Sequence, residues 1–205
     1  MSEVKEFESV RKRLAHDTGP VHESLHHHPV LGALASEDLP TQTYRVILSA
    51  YAGFYGAVEA SRERLRAHPE LSLRPQVDAL HEDLATLEEM PTALGEDALE
   101  LESTPAVLGA LYVLQGAGFG GRMLARQVAL SLPQAPRRFL QDGVAKATWL
   151  ALCAQLELVS EADYEDLCDA AMRTFHTLAR HVEQAAAYVP LQSPETPAFG
   201  TGSRL

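Results

Sequence analysis

The chain has 205 residues, 46% of them hydrophobic and 22% charged, proportions that are ordinary for one globular domain with an ample core. Its formal net charge of −11 argues against a nucleic acid or an anionic membrane surface as the main partner. The charged N-terminus does not resemble a signal peptide, and Cys153 and Cys168 lack metal or redox spacing, so we expect a cytoplasmic protein with no membrane association.

Helical periodicity predominates along the chain, and no segment has convincing strand alternation, so the sequence predicts an all-α fold. The first helix begins over residues 3–15, and Gly19-Pro20 should kink it or restart it, because proline clashes with the preceding turn. His22 follows, four residues after Thr18, and we expect it to point inward. The next three histidines, at positions 26–28, are better explained as a solvated helix end than as a metal cluster.

Further helices are predicted along the rest of the chain, separated by proline, glycine or acidic residues. They cover 41–67, 75–88, 104–132 and 137–158, and a last one starts near Ser160. The arginines at positions 62, 64 and 66 are interpreted as the solvated end of the helix over 41–67. From Pro190 the chain is rich in Pro, Ser, Thr and Gly, so we expect one domain over residues 1–189 and a disordered tail over 190–205.

The helix predicted from Thr104 to Leu132 contains four glycines within six residues, Gly116, Gly118, Gly120 and Gly121. Each glycine in a helix interior lowers stability by about 1 kcal/mol relative to alanine. A glycine also lets a helix kink, and it lets a flat ligand or a second backbone approach closely. Tight helix packing explains single glycines equally well, but the crowding favours a ligand that lies on this helix.

Several stretches together resemble the biliverdin-forming haem oxygenases, especially the bacterial branch associated with bacteriophytochromes. The segment from Thr18 to Leu25 matches the pattern T-x-x-x-H-x-x-L, and Tyr44 to Glu59 is similar to the family's second long helix. Tyr112-Val-Leu-Gln-Gly-Ala-Gly-Phe-Gly-Gly121 is similar to the distal helix of that branch. Lys146-Ala-Thr-Trp149 and Ala170-Ala-Met-Arg-Thr-Phe175 correspond to two later landmarks. The resemblance spans about residues 8–185.

This resemblance implies a helical bundle in which haem b, both substrate and cofactor, lies between a proximal helix and a kinked, glycine-rich distal helix. It implies that His22 is the proximal iron ligand, and histidine is a common axial ligand of haem iron. Distal residues that would position dioxygen and water are Gly116, Ala117, Gly120 and Gly121. Further haem contacts are expected from Thr18, Phe119 and Phe175, and the candidates for pairing with the propionates are Lys146, Arg13 and Arg138. A solvated surface cation explains each of those three equally well.

The implied reaction is oxidative cleavage of haem at the α-meso position to biliverdin, carbon monoxide and free iron. It uses O2 and electrons from a donor such as ferredoxin or flavodoxin with its reductase, and a bacteriophytochrome is a possible biliverdin acceptor. Two departures stand out: Ala117 replaces an acidic or hydroxyl residue, and Gln115 replaces a common glutamate. An ordered distal water would have few fixed partners here, so we expect a slower or leakier reaction.

Two other functions remain open on the sequence. One is a non-catalytic haem-binding or haem-delivery protein that has kept His22 but lost the distal water network. The other is an enzyme on the same helical scaffold that does not use haem, such as a thiaminase-like enzyme or a quinone-cofactor oxidase. That second alternative would need polar or acidic residues around its cavity, and the apolar glycine helix offers few.

Overall fold

Seven α-helices make up most of the residues that the structure, a computed structural model, describes, namely 9–95 and 99–187. They are α1 (Val10–His26), α2 (Thr41–Arg64), α3 (Arg74–Leu87), α4 (Thr104–Ser131), α5 (Arg138–Asp142), α6 (Lys146–Leu156) and α7 (Tyr164–Ala187). Short 3₁₀ helices occur at Leu31–Ala35 and Pro69–Leu71. These described residues contain no strand, so the all-α prediction is confirmed. The predicted tail lies outside them.

Helix α4 lies at the centre of the fold and packs along α7. The two backbones come close at Gly109, where a Cβ atom would lie 2.3 Å from the carbonyl oxygen of Leu167. From Ala106 to Gln115 every residue of α4 except Tyr112 is buried, as the apolar run predicts. Beyond Gln115 only one side of the helix is buried, although the helix continues unbroken through its glycines to Ser131. A surface of α4 is therefore open in the glycine segment.

The starts of α1 and α4 both lie near the start of α7. The guanidinium of Arg13, in the first turn of α1, lies 3.7 Å above the ring of Tyr164. The hydroxyl of Tyr164 donates to Asp17, one turn further along α1, at 2.6 Å. Ser103 caps α4 by accepting the backbone N–H of Ala106, and its hydroxyl also donates to Asp166 in α7. One end of α7 thus holds the first turns of two other helices.

The opposite ends of α1 and α4 are also held together. The Nε2 atom of His28, just after α1, lies 3.1 Å from a carboxylate oxygen of Glu183 near the end of α7. The hydroxyl of Ser131 donates to the backbone oxygen of Ser36 at 3.0 Å, which ties the end of α4 to the chain that follows α1. Helices α1 and α4 therefore run in the same direction, and α7 runs in that direction too.

One of the predicted helix boundaries is wrong. Of the two alternatives for Gly19-Pro20, a restart is excluded, because helix α1 runs through these residues without a break. The range 137–158 is two helices rather than one. They are separated at Gly143, whose φ of 56° favours glycine and whose backbone lies against the carbonyl oxygen of Gly118.

The prediction that all three arginines at the end of α2 are solvated is wrong for Arg62. Its guanidinium is buried and forms two hydrogen bonds with Glu59, at 2.8 and 2.9 Å. Glu59 also accepts the hydroxyl of Ser72 and the backbone N–H of Leu73. These bonds lower the pKa of Glu59 below its ordinary value, although burial opposes the shift. The buried pair is satisfied and joins α2 to the segment before α3.

Candidate functional site: a cleft between α1 and α4

A polar contact closes one end of a cleft between α1 and α4. Thr18 is buried and donates its hydroxyl to the carbonyl oxygen of Leu14 at 2.7 Å, so its oxygen remains free to accept the hydroxyl of Tyr112. Burial raises the pKa of Tyr112 above its ordinary value, while the Thr18 hydrogen bond and the positive charge of Arg11 oppose the rise. Arg11 therefore lies near this end of the cleft.

One helical turn beyond that contact, the two helices present complementary surfaces. His22 follows Thr18 by four residues, and Gly116 follows Tyr112 by four, which places each near the same face as its predecessor. Because α1 and α4 run in the same direction, we infer from the Thr18–Tyr112 contact that His22 lies opposite Gly116 and, one turn further, Gly120. No heavy atom of another part of the described structure would lie within 4 Å of a Cβ built on Gly120. The imidazole thus faces a bare stretch of helix backbone.

His22 is solvent-exposed, although its ring is directed towards α7. Its ring packs edge-on against buried Phe175 of α7, with centroids 5.8 Å apart. A second edge-on contact joins it to His26 one turn later, at 5.1 Å. Phe175 forms a floor beneath the imidazole and leaves its outer edge accessible to a ligand.

Aromatic side chains form the rim of the cleft beside α4. The rings of Phe119 and Trp149 meet edge-on at 4.8 Å, and Tyr112 lies 6.4 Å from Trp149. A Cβ on Gly116 would lie 4.0 Å from the Trp149 ring, an ordinary contact. Phe119 remains 57% exposed, which is unusual for a residue of its size next to a core helix. Lys146, exposed at the first position of α6, lies one turn before Trp149. This rim suits a flat apolar ligand with an acidic edge.

The other two glycines of the segment serve helix packing instead. A Cβ on Gly118 would lie 2.5 Å from a methyl group of Val144, and one on Gly121 would lie 2.8 Å from the carbonyl oxygen of Leu140. Gly121 is buried against α5 rather than beside the cleft, so its expected place over a ligand is wrong. Helix packing therefore accounts for Gly118 and Gly121, whereas Gly116 and Gly120 have open space beside the helix.

Ala117 and Gln115 take different positions around α4. Ala117 is exposed next to Gly116 and also lines a cavity behind the helix. Gln115 is completely buried and donates its amide to the backbone oxygen of Leu71 at 3.0 Å. At about 100° per residue, Gln115 points to nearly the opposite side of the helix from Ala117. Gln115 therefore has no access to the cleft.

The predicted basic residues are only partly brought to the site. Arg13 points away from the cleft, where it binds Glu161 at 2.6 Å and lies 3.7 Å above the ring of Tyr164. Arg138 is paired with Glu82 and Asp142 on the α3 and α5 side. Sequence reasoning overlooked Arg11, which lies about three helical turns before His22 and so shares its face of α1. The spacing of Arg11 and His22 in the sequence could have identified Arg11 as a candidate.

The histidines after His22 do not form a metal centre. Within the part of the chain that the structure describes, no three His, Cys, Asp or Glu side chains are grouped so that they could hold a metal ion. His26 and His27 are exposed, as predicted, but His28 accepts the backbone N–H groups of Val30 and Leu31 at 3.2 and 3.1 Å. It therefore shapes the chain that leaves α1. None of the described helices is long and apolar enough to cross a membrane.

The arrangement of α1, α4 and α7 around this cleft is the haem oxygenase fold. The heme oxygenase of Neisseria meningitidis, in its NO- and CO-bound crystal structures, superposes with a TM-score of 0.72 at 23% sequence identity, covering 91% of this chain and 96% of that one. The heme oxygenase-1 of the cyanobacterium Synechocystis in complex with heme gives 0.69 at 14% identity, covering 87% and 93%. The enzyme from Leptospira interrogans gives 0.67 at 17%, covering 86% and 99%.

These structural similarities span nearly the whole chain, whereas comparisons of sequence give no match. No protein-family model matches the chain, and no curated protein matches it. The similarity to haem oxygenases is therefore one of fold, and the chemistry of the site has to be argued from its own residues.

Proposed function

We propose that this protein is a haem oxygenase, which cleaves haem to biliverdin, carbon monoxide and iron with O2 and electrons from an external reductase. The observation that carries the proposal is the contact of Thr18 in α1 with Tyr112 in α4, from which we infer that His22, one turn further, lies opposite Gly116 and Gly120. An imidazole that faces a side-chain-free helix surface leaves a slot for a flat macrocycle with one axial ligand. The fold supports the same conclusion.

The residues around the cleft fit haem as the substrate. The His22 imidazole can ligate the iron, because Phe175 supports one edge of its ring and the other edge is accessible. The aromatic pair Phe119 and Trp149 offers apolar contact for the macrocycle. Lys146 and Arg11 are the cations placed to pair with the two carboxylates, since Arg13 and Arg138 are engaged elsewhere. Haem bound in this way supplies the iron at which dioxygen reacts.

The finer parts of the proposal come from the sequence resemblance. They are cleavage at the α-meso position, electron supply from ferredoxin or flavodoxin with its reductase, and transfer of biliverdin to a bacteriophytochrome. Gly116 and Gly120 contribute to the first, because helix backbone that lies directly over a macrocycle restricts where dioxygen can reach. Haem b is the form that we propose as substrate.

A haem-binding protein without turnover is the second candidate, and Ala117 favours it. The side chain at this position is a methyl group, and Gln115 is directed away from the cleft. Proton delivery then depends on groups outside the glycine segment. A protein that binds haem through His22 but yields no bile pigment would fit this second function.

Haem binding is tested first, by titrating the purified protein with haemin and following the Soret band. The matched variants are His22→Ala and His26→Ala, which remove neighbouring exposed imidazoles from one helix. We expect the first to shift the Soret band and abolish low-spin features, and the second to leave the spectrum unchanged. The reverse result would move the ligand to His26, and no Soret band in the wild type would refute both haem functions.

Turnover is tested next, by adding ferredoxin, its reductase and NADPH to the haem complex. A single turnover that releases biliverdin supports the enzyme, and its chromatographic mobility identifies the cleaved position. A stable haem complex with no bile pigment under the same conditions would establish the non-catalytic alternative.

A further inference from the structure

A cavity of about 60 Å³ lies on the side of α4 next to the cleft. Its walls come from α2, α3, α4 and the turn between α5 and α6, and they include Tyr51, Gln76, Ala117, Gly121 and Gly143. A cavity needs about 10–15 Å³ to hold one water, together with polar partners for it. This cavity has both the room and, at Gln76, a polar partner.

Gln76 has a buried side-chain amide whose hydrogen-bonding groups are only partly paired. Its side chain is 8% exposed, and its Nε2 donates to the carbonyl oxygen of Gly143 at 3.3 Å. Its Oε1 atom is buried and has no hydrogen-bond partner in the protein. Leaving such an oxygen unsatisfied costs about 1–3 kcal/mol. Because the residue lines a cavity, water can satisfy that oxygen.

Tyr51 lines the same cavity from α2. Burial raises the pKa of its hydroxyl to about 12, so the group keeps its proton at neutral pH. A protonated phenol can donate to a water and can also accept from one. The cavity wall therefore offers a second polar group besides Gln76.

Ala117 lies between this cavity and the face of α4 that carries Gly116. Around α4 it lies about 100° from Gly116 and about 40° from Gly121, which packs against α5. It is exposed and also lines the cavity. A methyl group at this position cannot hold a water, so a polar anchor has to come from another wall of the cavity.

We propose that Gln76 is a positioning residue whose Oε1 holds an ordered water in this cavity, and that this water delivers protons past Ala117 to the dioxygen side of the cleft. The inference rests on the proposed function. It assigns to α3 the water-anchoring role that the sequence resemblance led us to seek on α4 itself.

Gln115 provides a matched control for a substitution at Gln76. Both glutamines are buried, both donate Nε2 to one backbone carbonyl oxygen, and both have an Oε1 without a partner in the protein. They differ in direction, because Gln115 faces Leu71 and does not line the cavity. Methionine is close to glutamine in size, so Gln76→Met and Gln115→Met each remove one buried amide with little change in volume.

The experiment compares haem binding, biliverdin yield per haem and hydrogen peroxide release in the two variants. We expect both to bind haem with the wild-type Soret band. Gln76→Met should turn over about 100-fold more slowly, the lower end of the effect of a lost proton-transfer group, and should release more peroxide, whereas Gln115→Met should match the wild type. Equal losses in both variants would assign Gln76 a structural role and overturn the proposal.

A rescue and a direct view of the water complete the test. Adding Ala117→Ser to Gln76→Met supplies a hydroxyl from α4 and should restore at least part of the yield. A high-resolution crystal structure of the haem-free wild type should show water within hydrogen-bonding distance of Gln76 Oε1, and Gln76→Met should lack it. A dry cavity overturns the proposal whatever the turnover. Absence of haem binding refutes the proposed function instead, so the two failures are distinguishable.

Discussion

The glycine segment of α4 has two faces that look alike in sequence and differ in environment. On one face, backbone and side-chain atoms of the α5–α6 region crowd Gly118 and Gly121, at distances that a Cβ could not share. On the other face, Gly116 meets only the edge of Trp149, and Gly120 meets nothing within 4 Å in the described structure. The first pair lets helices pack closely, whereas the second pair leaves room for a ligand. Glycines within one helix thus have two different environments, one packed and one open.

Leucine substitutions at the neighbouring positions Gly120 and Gly121 should show the difference between the two faces most strongly. Gly121→Leu places a large side chain against the backbone oxygen of Leu140, which cannot move without shifting α5. Overpacking of this kind costs about 3 kcal/mol or more, so we expect a large fall in the free energy of unfolding measured by urea denaturation. Unchanged stability would mean that α5 does not pack against α4 in this way.

The matched substitution Gly120→Leu should affect haem rather than folding. Leucine is the better helix former by about 1 kcal/mol, and no neighbouring atom obstructs it, so stability should be equal or higher. The side chain would occupy the slot opposite His22, and we expect haem affinity to fall at least about tenfold, or 1.4 kcal/mol, in a haemin titration. Lost stability with unchanged haem affinity would make this face a packing surface after all.

Gly118→Ala tests a milder case on the packed face. The new methyl group would meet the side chain and the backbone nitrogen of Val144, at 2.5 and 3.0 Å before relaxation. We expect a loss of about 1–2 kcal/mol in unfolding free energy, with haem binding intact. Val144→Ala should relieve part of that loss in the double variant. If the double variant is no more stable than Gly118→Ala, the side chain of Val144 is not the obstacle.

The smallest effect is expected at the closed end of the cleft. Tyr112→Phe removes the hydroxyl that meets Thr18 and keeps the ring beside Trp149, so thermal denaturation should show a loss of about 0.5–1.5 kcal/mol. Haem affinity should change little, because both faces of the slot remain. Phe119→Leu is a useful companion, since it removes a rim ring without touching that hydrogen bond. A large loss of haem affinity in Tyr112→Phe alone would place the hydroxyl in contact with the ligand.

The local periodicity of the sequence determined much of the secondary structure of this protein. Apolar spacing predicted the helices correctly, apart from the break between α5 and α6, and it left open whether α1 would continue through Pro20. The four-residue step from Thr18 to His22 placed the imidazole on a defined face, and the density of glycines singled out α4. These features depend on residues a few positions apart, because helix geometry places residues three or four apart on the same face.

The tertiary structure decided which members of each local set face the cleft. Arg11 rather than Arg13 lies near the site, because Glu161 and Tyr164 at the start of α7 hold Arg13 on the other side of α1. Gly121 packs against Leu140, and Gln76 of α3 joins Ala117 in the wall of one cavity. Helical spacing orders residues around one helix, but only the packing of other helices determines which side becomes core, cleft or cavity wall.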